Sequence, residues 1–135
     1  MSTYYKEVLT EVNKIRKAAG LSSLTLDEDL CIAATMRALE MDENNILSHV
    51  RPTSYYNTEG ETNYSGDNWY TVLYYMNISY SAAGENCASG LSTAASVVAA
   101  WESSSGHYAN MVNTSYTKIG VGFSADGKVW VQLFT

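Results

Sequence analysis

The chain has 135 residues, 46% of them hydrophobic and only 16% charged, with a formal net charge of −6. That length fits a single domain, 1–135, with enough apolar material for a sizeable core. The acidic balance, without any lysine or arginine run, excludes nucleic acid and anionic membrane surfaces as principal partners. No signal-peptide pattern and no apolar run long enough to span a bilayer are present. The expectation is therefore a monomer that does not span a membrane, with a polar, weakly charged surface rich in tyrosine, asparagine and serine.

Residues 4–19 predict a helix. Tyr5, Val8, Leu9, Val12, Ile15 and Ala19 recur at three- and four-residue steps, and Gly20 stands where a C-terminal cap belongs. A second helix is expected after a short loop. Thr25-Leu26-Asp27-Glu28 reads as a capping box, with Asp27, Glu28 and Asp29 at the positive end of the helix. Leu26, Leu30, Ala34, Ala38 and Met41 then form a narrow apolar stripe, whose alanines imply close packing. Residues 42–68 are polar and turn-rich and hold the one proline, Pro52. A stretch this long inside a domain is usually functional or without fixed structure. Residues 69–76 fit a short helix or, given Tyr74 and Tyr75, a strand. Residues 93–103 predict a helix with Ala94, Val97, Val98 and Trp101 on one face, interrupted at Ser105-Gly106 and followed by a helical turn through Asn110 and Met111.

The C-terminus reads as a hairpin. Ile119, Val121 and Phe123 alternate with Gly120, Gly122 and Ser124, and Asp126-Gly127 is a turn signal. Val129, Val131 and Leu133 then alternate with Trp130, Gln132 and Phe134, so this strand is apolar on both faces and both faces should be covered. The fold class that follows is α/β: a three-layer α-β-α sandwich with a mainly antiparallel sheet and a C-terminal β-hairpin. Cys31 and Cys87 are compatible with one disulfide and equally with two buried thiols, and no CxxC motif is present.

Three stretches concentrate chemistry: Ser48-His49-Val50-Arg51-Pro52, Gly84-Glu85-Asn86, and the run from Trp101 through Ser104 and His107 to Asn110. Around them stand Asn13-x-x-Arg16, Gly20-Leu21-x-x-Leu24, Asp27-x-x-Leu30-x-x-x-Ala34, Ile119-Gly120-Val121-Gly122 and Val131-Gln132-Leu133-Phe134. In this order and spacing the chain resembles the CAP superfamily of cysteine-rich secretory proteins, antigen 5 and pathogenesis-related proteins, most of all its bacterial members. The resemblance implies an α-β-α sandwich, a secreted or cell-surface setting, and a cleft holding two histidines and two acids. His49 matches the first histidine, Glu85 the glutamate of Gly-Glu-Asn, and His107 the second histidine. The second acid normally follows the tryptophan by three residues, and here that position is Ser104. Glu102 comes two residues early, on a different face of a helix. The family is linked to sterol or fatty-acid binding, to divalent metals and, less securely, to proteolysis.

Two neutral imidazoles and a carboxylate form a candidate divalent-metal set that leaves a position open for water or ligand. Zinc or another divalent cation is therefore the candidate cofactor, although none is required: the same groups also suffice to hydrogen-bond one another and pin loops together. The leading expectation is a non-catalytic binding module for a small-molecule or lipid ligand. The alternative is a peptidase or esterase using His107 and Glu85, with a nucleophile from Ser103, Ser104 or Ser105. Against it, the chain has neither Gly-x-Ser-x-Gly nor His-Glu-x-x-His, and serines at helix ends are more often caps and turns. Arg51 and Pro52 are expected to fix the loop that presents His49. Asn86 and Asn110 are expected to bond backbone groups.

Overall fold

The computed structural model describes residues 3–52 and 67–135. Along them run α1 (Thr3–Ala18), β1 (Thr25–Leu26), α2 (Glu28–Glu43), α3 (Thr71–Tyr75), β2 (Gly84–Ala88), α4 (Ala94–Glu102), α5 (Ser105–Met111), β3 (Lys118–Ser124) and β4 (Val129–Phe134). The strands form one sheet in the order β1-β3-β4-β2. β1 runs parallel to β3, and the other two pairings are antiparallel.

Two apolar clusters flank this sheet. Val8 and Val12 of α1, Val97, Val98 and Trp101 of α4, and Met111 of α5 pack with Trp130 and Phe134. Leu30, Ala34, Ala38 and Met41 of α2 and Val72 and Leu73 of α3 pack with Val129, Val131 and Leu133. The period of two along β4 thus feeds both layers, and all six of its residues are buried. This is the expected α-β-α sandwich, and the strand that is apolar on both faces is sheltered on both.

The small residues of α2 and β3 explain each other. A Cβ on Gly120 would run into the backbone of Leu30, and one on Gly122 into the backbone of Ala34. α2 therefore lies with its main chain directly on β3, an approach that glycine on the strand allows.

The Asn13-x-x-Arg16 spacing stitches α1 to two distant segments. Asn13 Nδ2 donates to the Leu24 carbonyl and its Oδ1 accepts from Leu24 N. The buried Arg16 guanidinium donates to the carbonyls of Ser22, Met111 and Asn113 at 2.8–3.0 Å. It thereby satisfies acceptors that the end of α5 leaves free. Gly20 has φ +78°, and Leu21 N and Gly20 N return to the carbonyls of Arg16 and Lys17, a glycine-terminated helix end of the Schellman type.

One expectation is corrected. The capping box at Thr25 does not form. Thr25 N and Asp27 N donate to the carbonyls of Thr117 and Ile119, which makes Thr25 and Leu26 a short strand. The cap moves to Asp27, whose side chain accepts from Leu30 N. The C-terminal hairpin is present with the expected strands: its last pair is Ser124–Val129, the loop between them has four residues, and the left-handed position is Lys128. Gly127 is needed for another reason: the Asp42 carboxylate accepts from Gly127 N at 3.0 Å and from the Ser124 hydroxyl, and a Cβ would meet that carboxylate.

Of the two states open to the cysteines, the structure has the buried thiols: Cys31 and Cys87 are both free. Cys31 Sγ accepts from Val121 N on β3, whereas Cys87 lies on β2 opposite Val131. β4 stands between these strands, so the two thiols rest over different strands of the sheet.

Candidate functional site

His49 follows α2 and is held through its own main chain. Trp69 N donates to the His49 carbonyl, and Arg51 N to that of Asp67, both at 2.7 Å, around a single bridge between Val50 and Asn68. The buried Arg51 side chain anchors the segment on Glu40, with Nη2 2.8 Å from Oε1 and Nε 3.0 Å from Oε2. Pro52 is half-buried beside it, and most of the polar stretch expected after it lies outside the described residues.

From Glu40 an ion-paired chain crosses to the sheet. Arg37 Nη1 donates to Glu40 Oε2 at 2.7 Å. Its Nε and Nη2 grip both oxygens of Glu85 at 2.7 and 3.0 Å, and Nη2 also reaches the Ser48 carbonyl at 2.6 Å. Glu85 Oε1 lies 2.7 Å from His49 Nδ1. Arg37, Glu40 and Glu85 have no exposed side-chain surface, whereas the His49 side chain is 58% exposed. The order is Arg51, Glu40, Arg37, Glu85, His49: two guanidinium groups balance two carboxylates, and an imidazole caps the row at the surface.

The electrostatics follow from this order. Burial pushes the Glu85 carboxyl up, but hydrogen bonds from His49 and Arg37 outweigh it, and the group stays ionised below the usual range. An ionised carboxylate only accepts, so His49 Nδ1 carries the proton and Nε2 is left with its lone pair. The bond to Glu85 raises the His49 pKa against burial and the nearby Arg37. Burial lowers that of His107, with a smaller push from His49, so the two imidazoles sense each other.

His107 sits on α5, whose position is set from β2. Asn86 Nδ2 donates to the His107 carbonyl and to Gln132 Oε1, both at 3.0 Å. Asn110 Nδ2 donates to Asn86 Oδ1 at 2.8 Å and to the Glu85 carbonyl at 3.2 Å. Trp101 Nε1 takes the Cys87 carbonyl, so side chains from α4 and α5 satisfy the outer edge of β2. Ser104 is the N-cap residue of α5 and makes no side-chain capping bond. Glu102 is exposed at the end of α4.

The metal-capable set differs from the one expected. Among the described residues, the groups whose donor atoms fall within 4.8 Å of one another are His49, Glu85 and Cys87, and His107 is outside that cluster. Both Glu85 oxygens are already engaged, and burial drives the Cys87 thiol far above its ordinary value, so it stays protonated. Direct ligation by Glu85 therefore does not fit these residues. His49 Nε2 is left free by the contact of Nδ1 with Glu85, and the His107 ring lies near enough to His49 for its charge to lower the His107 pKa. For the hydrolase alternative, Glu85 pairs with His49 rather than His107. Ser103 Oγ donates to the Ala100 carbonyl. Among the described residues no serine hydroxyl bonds either histidine.

The sequence reading missed Arg37 and Glu40. Their signal was present: Arg37 falls on the α2 stripe between Ala34 and Met41, where a charge must be buried and paired, with Glu40 one turn on. An apolar hollow of about 570 Å³, lined by Tyr5, Ile32, Met36, Tyr75 and Met76 among others, lies along α2 and includes neither histidine. Among the described residues no helix is long and apolar enough to cross a membrane.

Comparison with known proteins places these features in a family. The profile of the Cysteine-rich secretory protein family, CAP, matches residues 9–134. The uncharacterized protein YkwD of Bacillus subtilis is 35% identical over 99% of this chain and 48% of its own length. An extracellular protein containing an SCP domain from Bacillus anthracis superposes with TM-score 0.85 at 26% identity, over 98% of this chain and 40% of that one. An outer surface protein of Borrelia burgdorferi superposes with TM-score 0.76 at 26% identity, over 96% of this chain and 89% of that one. The chain thus spans about half or less of the length of the curated relatives it matches. From residue 9 to residue 134, the chain belongs to the CAP family of cysteine-rich secretory proteins.

Proposed function

We propose that the chain is a secreted or cell-surface binding module whose cleft offers His49 Nε2 and His107 as nitrogen ligands to a divalent cation such as zinc. The observation that carries this reading is the 2.7 Å contact between His49 Nδ1 and Glu85. A ligating histidine commonly gives its other ring N–H to a carboxylate, which fixes the tautomer and aims the free nitrogen. When bound, zinc would supply a Lewis-acidic position open to an incoming ligand. Glu85 and Arg37 orient His49, and Asn86 and Asn110 fix the backbone on which His107 rides. A small apolar ligand has a separate place in the hollow along α2, whose volume lies in the range of small-molecule sites.

Calorimetric titration of the chain with zinc chloride at neutral pH tests the reading. The expected result is a zinc heat that disappears in both His49→Ala and His107→Ala. Zinc heats unchanged in both variants would show that the metal binds elsewhere.

A further inference from the structure

The end of α3 gathers tyrosines on the surface. Tyr70 is its N-cap residue and Tyr74 follows one turn later, so the two share a helix face. Asn77 takes the left-handed conformation, with φ +54°. Asn77 N and Ile78 N return to the carbonyls of Tyr74 and Leu73 at 3.1 and 2.9 Å, a Schellman end with asparagine in the usual glycine place. The chain therefore turns back on α3, and the Tyr80 hydroxyl meets that of Tyr74, with Tyr70 close by. Burial raises the Tyr80 pKa, as do these two neighbours, so the hydroxyl stays a neutral donor and acceptor. Asn68 Nδ2 donates to the Tyr70 hydroxyl at 3.2 Å, and Trp69 stands edge-on to the Tyr70 ring. All three tyrosines are exposed, Tyr74 most of all.

Tyr80 also borders a hollow of about 400 Å³ that it shares with Ser79, Ser81, Ser115, Thr117 and Lys118, a volume in the range of small-molecule sites. Neither histidine lines it. Its one charged side chain, Lys118, has Asp27 Oδ2 at 3.8 Å. An anion therefore meets a cation that already has a partner, and a cation meets no carboxylate side chain in the lining. A lipid tail would strip water from hydroxyls and return no hydrogen bond. We propose that this face binds an uncharged glycan of gluco configuration, one sugar ring lying on Tyr74 and Tyr80 and a neighbouring ring entering the hydroxyl-lined hollow. The ring substituents of such a sugar are all equatorial, so each ring offers a flat C–H face to an aromatic ring and a rim of hydroxyls to serine and threonine. Tyrosine meets both demands, because it presents rigid apolar area with a polar tip at low entropic cost. The site does not rest on the two-histidine reading.

The test is nitrogen-15 NMR of the intact chain titrated with chitotetraose and with cellotetraose. Binding of either sugar is expected, with the amide signals of residues 79–82 and 115–118 moving and those of His49 and His107 still. Tyr74→Ala and Tyr80→Ala should each weaken that binding about tenfold or more, as loss of a tyrosine anchor does. Their Tm should hold, because both side chains lie at the surface. Tyr108→Ala removes an exposed tyrosine from α5, outside the patch, and should bind the sugar as the unaltered chain does. No movement with either sugar would overturn the proposal and leave the face to a protein partner. Sugar binding that survives both Tyr74→Ala and Tyr80→Ala, or that Tyr108→Ala weakens as much, would also overturn it, because the sugar would then sit elsewhere.

Discussion

Arg37→Met is the most demanding perturbation of this fold. Methionine keeps much of the length and apolar stem of arginine, so the change is mainly one of charge. Among the described residues, it leaves Glu85 buried with His49 as its remaining ionic partner and removes one of two guanidinium groups from Glu40. Removing one member of a buried ion pair costs about 3–5 kcal/mol, because the survivor stays desolvated. An unfolding entropy of about 2.1 cal/mol/K per residue gives about 0.28 kcal/mol/K for 135 residues. The expected fall in Tm is then about 11–18 °C by differential scanning calorimetry at neutral pH. Adding Glu85→Gln neutralises the stranded carboxylate. The double variant should therefore be more stable than the sum of the singles predicts, by a coupling of about 0.5–3 kcal/mol. A Tm loss under about 3 °C for Arg37→Met, or additive single variants, would refute the buried ion-pair account.

Gly122→Ala should lower stability by about 1–3 kcal/mol in denaturant titration, since the new methyl meets the α2 backbone at Ala34; an unchanged midpoint would contradict the close packing of α2 on β3. The chain has two histidines, so proton NMR should resolve two titrations, His49 above the ordinary histidine value and His107 below it. The His49 contribution to stability is full below the ordinary value and fades as pH rises through its raised pKa. That of His107 holds above the ordinary value and fades as pH falls through its lowered one. Glu85→Gln should bring the His49 titration down, and a reversed order of the two would contradict the pairing. Thiol titration of the denatured, unreduced chain should count two free thiols; none would establish the bridge that the strand order argues against. Ser104→Glu should tighten zinc binding by restoring an acid near His107, and weaker binding would show that this position does not face the cleft.

Much of the architecture was legible because periodicity reports burial directly. β4 is apolar in both phases and is covered on both faces, and the alternating glycines of β3 mark the path of the α2 backbone. Local signals failed where a distant partner competed. Thr25 has the composition of a helix cap, but the carbonyls of Thr117 and Ile119 draw its segment into the sheet. Asp126-Gly127 does mark the turn, and Asp42 gathers Gly127 and Ser124 into its four-residue loop. At the site, the family pattern pointed to His49, Glu85 and His107 and carried no information on protonation or on which atoms are free. That depends on Arg37, 48 positions from Glu85 in the chain. A spacing rule does not report such a pairing, although a charge on an apolar helical stripe does announce that a partner must exist.

The tautomer of His49 reports whether Glu85 orients the ring. Nitrogen-15 NMR of labelled protein, above the histidine titration, distinguishes a protonated from an unprotonated ring nitrogen. The account predicts that Nδ1 of His49 carries the proton and Nε2 does not. It also predicts that added zinc shifts Nε2 while Nδ1 stays protonated against Glu85. A proton on Nε2, or a zinc shift confined to Nδ1, would contradict the claim that Glu85 orients His49 rather than sharing a metal with it.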